Sequence, residues 1–160
     1  MGWFDKLSDK KKTQRASFDR DTKGTYWQKI AGIEPFVSEQ KDDFIRVTKY
    51  TLKVIEGSLP VGIETSQVIK ISGNRFVEDD VRKFYCGVSG ESMEAANETS
   101  FAQIEDRLKQ MVGVTVRVDV RERAYTNKDG DPATFTDSHV IHPILPGQLA
   151  EEGIDPNKFG

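Results

Sequence analysis

Valines occupy every second position from Val112 to Val120, and this alternation is the strongest structural signal in the chain. A period of two places the valines on one face of an extended strand and the residues between them on the other. The intervening residues include Arg117 and Arg121. The pattern therefore predicts a strand with a core face of valines and an outer face that carries arginines.

A second strand is expected directly after this one. Residues 127–132 read NKDGDP, a composition typical of a turn. An extended pattern resumes over residues 134–141, so the stretch 112–144 predicts a β-hairpin with a long polar loop. Because the hairpin follows a helix-like segment and earlier strand-like runs, we interpret it as the closing hairpin of a small barrel.

Three earlier stretches also have strand character. The first, GTYWQKIAGIEPF, begins at Gly24, and we expect it to be broken or bulged at Gly32 and to end near Pro35. The second is FIRVTKYTLKVIE, and the third is the short run 64–72. In the second strand, strict alternation assigns one face to Phe44, Arg46, Thr48, Tyr50, Leu52 and Val54, and the other to Ile45, Val47, Lys49, Thr51, Lys53 and Ile55.

Helical spacing of apolar residues occurs in two places between the third strand and the hairpin. Residues 77–90 combine this spacing with acidic residues in the first turn. Residues 100–113 have an apolar face from Phe101 to Met111 and begin at Ser100, a suitable N-cap. The linking residues 91–99 are small and polar. After Ile144, prolines, glycines and acids argue against regular structure.

The length of 160 residues suits one domain with a proper core. We expect a basic, flexible N-terminal arm over residues 1–23, the folded domain over 24–145, and a flexible, mildly acidic tail over 146–160. Residues 1–29 hold eight Lys/Arg against four Asp/Glu, whereas the whole chain has a net charge of −3. A basic arm with an acidic end recurs in proteins that handle nucleic acid.

Several functional classes are disfavoured by the residues themselves. No apolar run approaches the roughly 18 residues of a membrane span, and the N-terminus has no signal-peptide core, so a cytoplasmic protein is expected. The single cysteine, Cys86, permits no internal disulfide or cysteine-based zinc site. His139 and His142 lie in a predicted strand, where positions i and i+3 point to opposite faces, so they do not predict a metal site. We expect no enzyme activity, no catalytic or metal-binding residues, and no cofactor.

The order of three strands, a helical interlude and a closing hairpin is that of an OB-fold, the partly open five-stranded barrel that binds oligonucleotides or oligosaccharides. The predicted fold is therefore mainly β, a five-stranded OB-fold barrel with one or two helices between its third and fourth strands and flexible termini.

The segments GTYWQKIAGI, FIRVTKYTLKVIEG, DVRKFY, LKQMVGVTVRVDVRERAYTNKDG and the final HPI resemble the small single-stranded DNA-binding proteins of tailed bacteriophages. The resemblance covers roughly residues 24–144. It implies binding and protection of single-stranded DNA in phage replication or recombination, inside the host cytoplasm. Related proteins often carry a strongly acidic tail with a terminal aromatic that recruits replication partners. Here Lys158 and Gly160 depart from that pattern, so partner recruitment by the tail is only an open expectation.

Binding of single strands requires aromatic rings on which bases stack and cations that contact phosphates. Both residue types are present on the predicted strands. The stacking candidates are Tyr26, Trp27, Phe44, Tyr50, Tyr125 and Phe135. The phosphate-contact candidates are Lys29, Arg46, Lys49, Lys53, Arg117, Arg121, Arg123 and Lys128.

Other interpretations of these residues remain open. Phe44 and Phe135 suit the core of a barrel, and Arg117 and Arg121 suit surface ion pairs with neighbouring acids. The main alternative function is a β-barrel interaction or assembly module, in which the aromatic strands form a subunit interface and the protein is a homo-oligomer.

Overall fold

A computed structural model describes residues 19–20, 22–39, 41–71 and 76–158. The chain is mainly β, with five long antiparallel strands, a two-residue strand and four short helices among these residues. The strands are β1 (Asp19–Arg20), β2 (Gly24–Val37), β3 (Asp43–Gly57), β4 (Glu64–Lys70), β5 (Thr115–Thr126) and β6 (Pro132–Ile144). The helices are α1 (Phe76–Ser89), α2 (Met93–Asn97), α3 (Phe101–Gln110) and α4 (Pro146–Glu151). Most of the predicted N-terminal arm lies outside the described residues.

One sheet contains all six strands in the order β1-β4-β3-β2-β5-β6, with only the β1–β4 pair parallel. Three strands separate β4 from β6 in this order, yet Gln67 of β4 donates a hydrogen bond from Nε2 to the carbonyl oxygen of Ser138 in β6, at 3.0 Å. A contact between such distant strands requires a strongly curled sheet. α1 packs against both β4 and β6.

The hydrophobic core lies between the concave, inner face of this sheet and the helices. Val116, Val118 and Val120 pack in one cluster with Tyr85 of α1 and Ile104 of α3. The predicted core face is therefore confirmed for these three valines, whereas Val112 precedes the strand and is 43% exposed. Close packing extends to the backbone, because a Cβ atom at Gly87 of α1 would overlap the carbonyl oxygen of Val140 in β6.

Register shifts in β2 and β3 change which side chains face outward. Strict alternation in β3 holds as far as Thr51, which pairs with Gln28, but the next matched pair is Lys53 with Trp27. Leu52 is thus an extra residue, a β-bulge that reverses the alternation beyond it. The assignment of Lys53 to the same face as Lys49 was wrong, because the bulge turns Lys53 to the outer face.

Other predicted boundaries also need correction. The predicted irregularity at Gly32 is confirmed by a register shift between Ile30 and Gly32, but β2 continues past Pro35 to Val37. β2 pairs with β5 only as far as Lys29, so Pro35 lies where the strand is paired on one side, and proline is tolerated at such positions.

Three helices, rather than one or two, lie between β4 and β5. The first and third match the two predicted segments, and Ser100 caps α3 as predicted, its hydroxyl accepting a hydrogen bond from Gln103 N. The additional helix, α2, is capped by Ser92 and buries Ala96. Across the described residues, no helix has the length and apolarity needed to cross a membrane.

The segment after Ile144 has regular structure, contrary to expectation. Helix α4 buries Leu149, which packs with Leu52 and Ile144 in a small second cluster, and Trp27 and Ile154 complete it. The apolar contacts explain why a proline- and glycine-rich segment folds here, since burial of apolar surface compensates for weak helix propensity.

Candidate nucleic-acid interface

The outer face of the sheet, the face opposite the core, carries most of the predicted site residues. On β5 the residues between the valines point to this face, and cross-strand pairing brings β6 residues beside them. Arg117 is paired with His142, and Asp119 with His139. Arginines and imidazoles therefore share one surface.

Beyond Val120, β5 and β6 leave the rest of the sheet as a two-stranded ribbon. Pairing of β5 with β2 ends at Val120, whereas its pairing with β6 continues to the pair Thr126–Pro132. We call residues 121–126 and 132–137 the ribbon. Every β5 residue of the ribbon is exposed, so this part contributes little to the core and is available for binding.

Two aromatic rings stand near the tip of the ribbon. Tyr125 is 48% exposed and Phe135 is 46% exposed. Their centroids lie 5.6 Å apart with an interplanar angle of 70°, an edge-to-face arrangement. The sequence favoured the core as the location of Phe135, and its exposure removes that interpretation.

Arginines flank these rings. Arg123 is the cross-strand partner of Phe135, and its Nε lies 3.4 Å from Asp137 Oδ2. Asp137 Oδ2 also lies 3.1 Å from His139 Nε2. Arg121 is exposed, and no acidic partner lies within ion-pair distance of it in the described part of the chain. Exposed ion pairs are weak and exchange readily, so Arg123 can contact a phosphate instead.

Arg117 and Lys128 lie at the two ends of this surface. Arg117 Nε is 3.2 Å from Asp119 Oδ1, which is the surface pairing that the sequence left open. Lys128 is exposed in the turn, where Asn127 Oδ1 accepts hydrogen bonds from the backbone N–H groups of Asp129 and Asp131. The turn is thereby fixed with its lysine directed to solvent.

Trp27 occupies the middle of the outer face and is partly covered. The ammonium of Lys53 lies 4.7 Å from the centroid of the Trp27 ring and 2.9 Å from Glu152 Oε1, just beyond α4. Leu149 and Ile154 pack on the same side. Trp27 and Lys53 thus lie together, but the chain after Ile144 shares their surface.

A second group of predicted residues lies at the far end of β2 and β3. Phe44 stacks on Phe36 with centroids 5.3 Å apart, and the Arg46 guanidinium lies 4.8 Å from the Phe36 centroid. Arg46 and Lys29 are each only 8% exposed, which restricts their contact with phosphates. Phe36 was missed because the strand was expected to end at Pro35.

Tyr50 also lies on the outer face, beside β4. Its hydroxyl donates a hydrogen bond to Glu64 Oε1 at 2.8 Å. This bond, with a smaller contribution from burial, raises the pKa of Tyr50 above its ordinary value of 10.0. The hydrogen bond fixes the ring at the edge of a surface depression. Glu64 was not recognised as a site residue, because its pairing with Tyr50 depends on strand register.

Two predicted site residues do not belong to the interface. Tyr26 is 0% exposed, so it cannot stack on a base, and its hydroxyl is bonded to backbone groups. Lys49 is also 0% exposed and donates to Gln67 Oε1 at 3.1 Å, inside the curled sheet. Both side chains point to the inner face, whereas the next residue along each strand points outward.

The two histidines share a face, contrary to the strand argument. Ile141 is inserted between the paired positions of β6, and this bulge brings His142 to the same side as His139. Within the described ranges, no group of three or more His, Cys, Asp or Glu residues could hold a metal ion. The histidines therefore add hydrogen-bonding groups to the outer face.

Comparison with known proteins does not assign the chain to a group. No protein-family model matches it, and no curated protein matches its sequence.

Proposed function

We propose that this protein binds single-stranded DNA, without catalysis and largely independently of sequence, along the outer face of its sheet. The observation that carries the proposal is the ribbon, where Tyr125 and Phe135 are exposed beside Arg121 and Arg123 on one surface. Unpaired bases stack on aromatic rings, and arginines contact the phosphates between them. Because both rings are about half exposed, packing in the core does not explain their presence on the ribbon.

The connectivity supports an OB-fold as the architecture of this binding protein. β2, β3 and β4 form a meander, three helices follow, and β5 and β6 form the closing hairpin beside β2. β4 and β6, the outermost of the five long strands, run in the same direction and are bridged by the bond from Gln67 to Ser138. In this fold a face of the sheet and its loops receive oligonucleotides. The role in phage replication or recombination rests on the resemblance in sequence.

Charge-removal variants of the ribbon test the proposal. Each phosphate contact in a single strand contributes about 0.7 to the slope of log affinity against log salt. Replacing Arg121 and Arg123 by Gln is therefore expected to reduce the magnitude of that slope by about 1.4, if each contacts one phosphate. Fluorescence anisotropy of a labelled oligo-dT, titrated at several salt concentrations, measures the slope.

A matched control removes two positive charges elsewhere. Lys83 of α1 and Lys109 of α3 are exposed and lie on the helices rather than on the outer face. The double variant K83Q/K109Q is expected to retain the wild-type slope. Equal slopes for the wild type, the ribbon variant and the control would contradict phosphate binding by the ribbon.

One observation favours a second function, that of an assembly module. Within the described residues, neither edge of the ribbon is paired with a further strand, and such open edges can pair with another copy of the chain. An interface of this kind buries Tyr125 and Phe135 and does not weaken as salt is raised. Sedimentation of the protein alone at low and high salt distinguishes a homo-oligomer from a monomer that binds DNA.

A further inference from the structure

A depression on the outer face lies between β2, β3 and β4, away from the ribbon. It has a volume of about 410 Å³, within the range of small-ligand sites. The residues that line it include Gly32, Glu34, Thr48, Tyr50 and Glu64. The space exists because Ala31 is a bulged residue and Gly32 has no side chain; no atom lies within 4 Å of where a Cβ of Gly32 would stand.

The lining of this depression is unusual for a surface that contacts DNA. The carboxylates of Glu34 and Glu64 accept hydrogen bonds and repel phosphate groups. They therefore favour the donor-bearing edge of a base over the backbone. One oxygen of Glu64 already accepts a hydrogen bond from the Tyr50 hydroxyl. This bond orients the carboxylate and leaves its second oxygen available to other donors.

Among the four DNA bases, guanine matches these acceptors best. Its Watson–Crick edge presents N1–H and the N2 amino group side by side, two donors that one carboxylate can accept together. Thymine presents a single N3–H between two carbonyl oxygens, which the carboxylates would repel. A base edge in a single strand is free to make such contacts, because it is not paired.

The depression adjoins the proposed DNA path. Tyr50 is the cross-strand neighbour of Lys29, and Lys29 is that of Thr115 at the start of β5. Trp27 lies two residues from Lys29 on the same face of β2. A strand that contacts Trp27 can therefore place a neighbouring base beside Tyr50.

We infer that this depression is a guanine-binding subsite, in which Glu64 and Glu34 accept hydrogen bonds from the base edge beside the Tyr50 ring. The inference rests on the proposed binding of single-stranded DNA. It gives an otherwise sequence-tolerant protein a preference for strands that contain guanine.

Competition between oligonucleotides tests the subsite. An oligo-dT and the same oligomer with isolated dG residues are compared by anisotropy, together with oligomers in which each dG is replaced by deoxyinosine or dC. The dG oligomer is expected to bind about tenfold more tightly than oligo-dT, as one good bidentate base contact would give. Deoxyinosine lacks the N2 amino group, so its oligomer is expected to lose most of this preference.

Single-charge variants locate the effect. Glu64→Gln and Glu34→Gln are expected to abolish most of the dG preference without weakening oligo-dT binding, because each removes a charge that repels phosphates. Glu94→Gln on the exposed surface of α2 is expected to leave the dG preference at its wild-type value. Equal affinity for dG and dT oligomers overturns the subsite but not DNA binding. A dG preference that survives both Glu34→Gln and Glu64→Gln also overturns it. Binding to none of the oligomers overturns the proposed function itself.

Discussion

Replacing Tyr26 by Ala is expected to lower the free energy of unfolding by about 3–5 kcal/mol, the range for truncating a large buried ring. The Tyr26 side chain is 0% exposed. Its hydroxyl donates to Lys23 O at 3.1 Å and accepts from the backbone N–H groups of Ser58 and Leu59 at 3.1 and 3.4 Å. The substitution therefore creates a cavity and leaves the buried N–H of Leu59 and the partly buried backbone groups of Lys23 and Ser58 without this partner. Urea denaturation measures the change.

The variant Tyr26→Phe separates the two contributions. It retains the ring but removes the hydroxyl, so we expect a loss of about 1–3 kcal/mol from the unpaired backbone groups alone. A Tyr26→Ala protein with wild-type stability and weakened DNA binding would contradict the assignment of Tyr26 to the core, and would restore it as a stacking residue.

The double variant Y125A/F135A is expected to have the opposite effect. Both rings are about half exposed, so their removal leaves the free energy of unfolding nearly unchanged. Affinity for oligo-dT is expected to fall by at least about 1–3 kcal/mol, the contribution of one stacked base. The rings contact each other, so the single variants are not expected to add up to the double one. Anisotropy and thermal unfolding give the two quantities.

A control variant removes exposed apolar surface outside the ribbon. Ile55 and Val61 are 49% and 56% exposed and lie outside the ribbon, Ile55 in β3 and Val61 in the connection from β3 to β4. The variant I55A/V61A is expected to bind oligo-dT as the wild type does. If the ribbon variant bound as tightly as this control, stacking on the ribbon would be excluded.

Local periodicity was sufficient to predict much of the fold. The valines of β5, the two longer helices and the Ser100 cap were all predicted from short-range patterns, and each is confirmed. Such patterns depend on neighbours within a few residues, which the sequence shows directly.

The errors arise where register decides the outcome. The bulges at Leu52 and Ile141 each reverse the alternation, which moved Lys53 and His142 to the outer face. Tyr26 and Trp27 are adjacent aromatic residues in the same strand. The face to which each side chain points determines whether its ring lies in the core or on the surface. A single inserted residue changes every later assignment, and no local signal marks it.

Short-range sequence patterns also failed to predict that the chain folds after Ile144. Its prolines and glycines predicted irregular structure, whereas Leu149 and Ile154 anchor it on Trp27 and Leu52. These contacts join residues about a hundred positions apart, so they follow only from the tertiary fold.

Net charge was a poor guide to the interface. The chain carries −3 overall, yet Arg117, Arg121 and Arg123 lie on one face of β5 while many of the acids lie on the helices and turns. Association with a polyanion depends on the local field at the binding surface more than on the total charge.

The most direct test of the proposed function is an anisotropy titration of a labelled oligo-dT and of a labelled duplex of equal length, each at low and high salt. The outer face predicts binding of the single strand, weakened steeply by salt, with much weaker binding of the duplex because its bases are not available for stacking. Absence of binding to the single strand at low salt, or equal affinity for the duplex, would contradict the assignment.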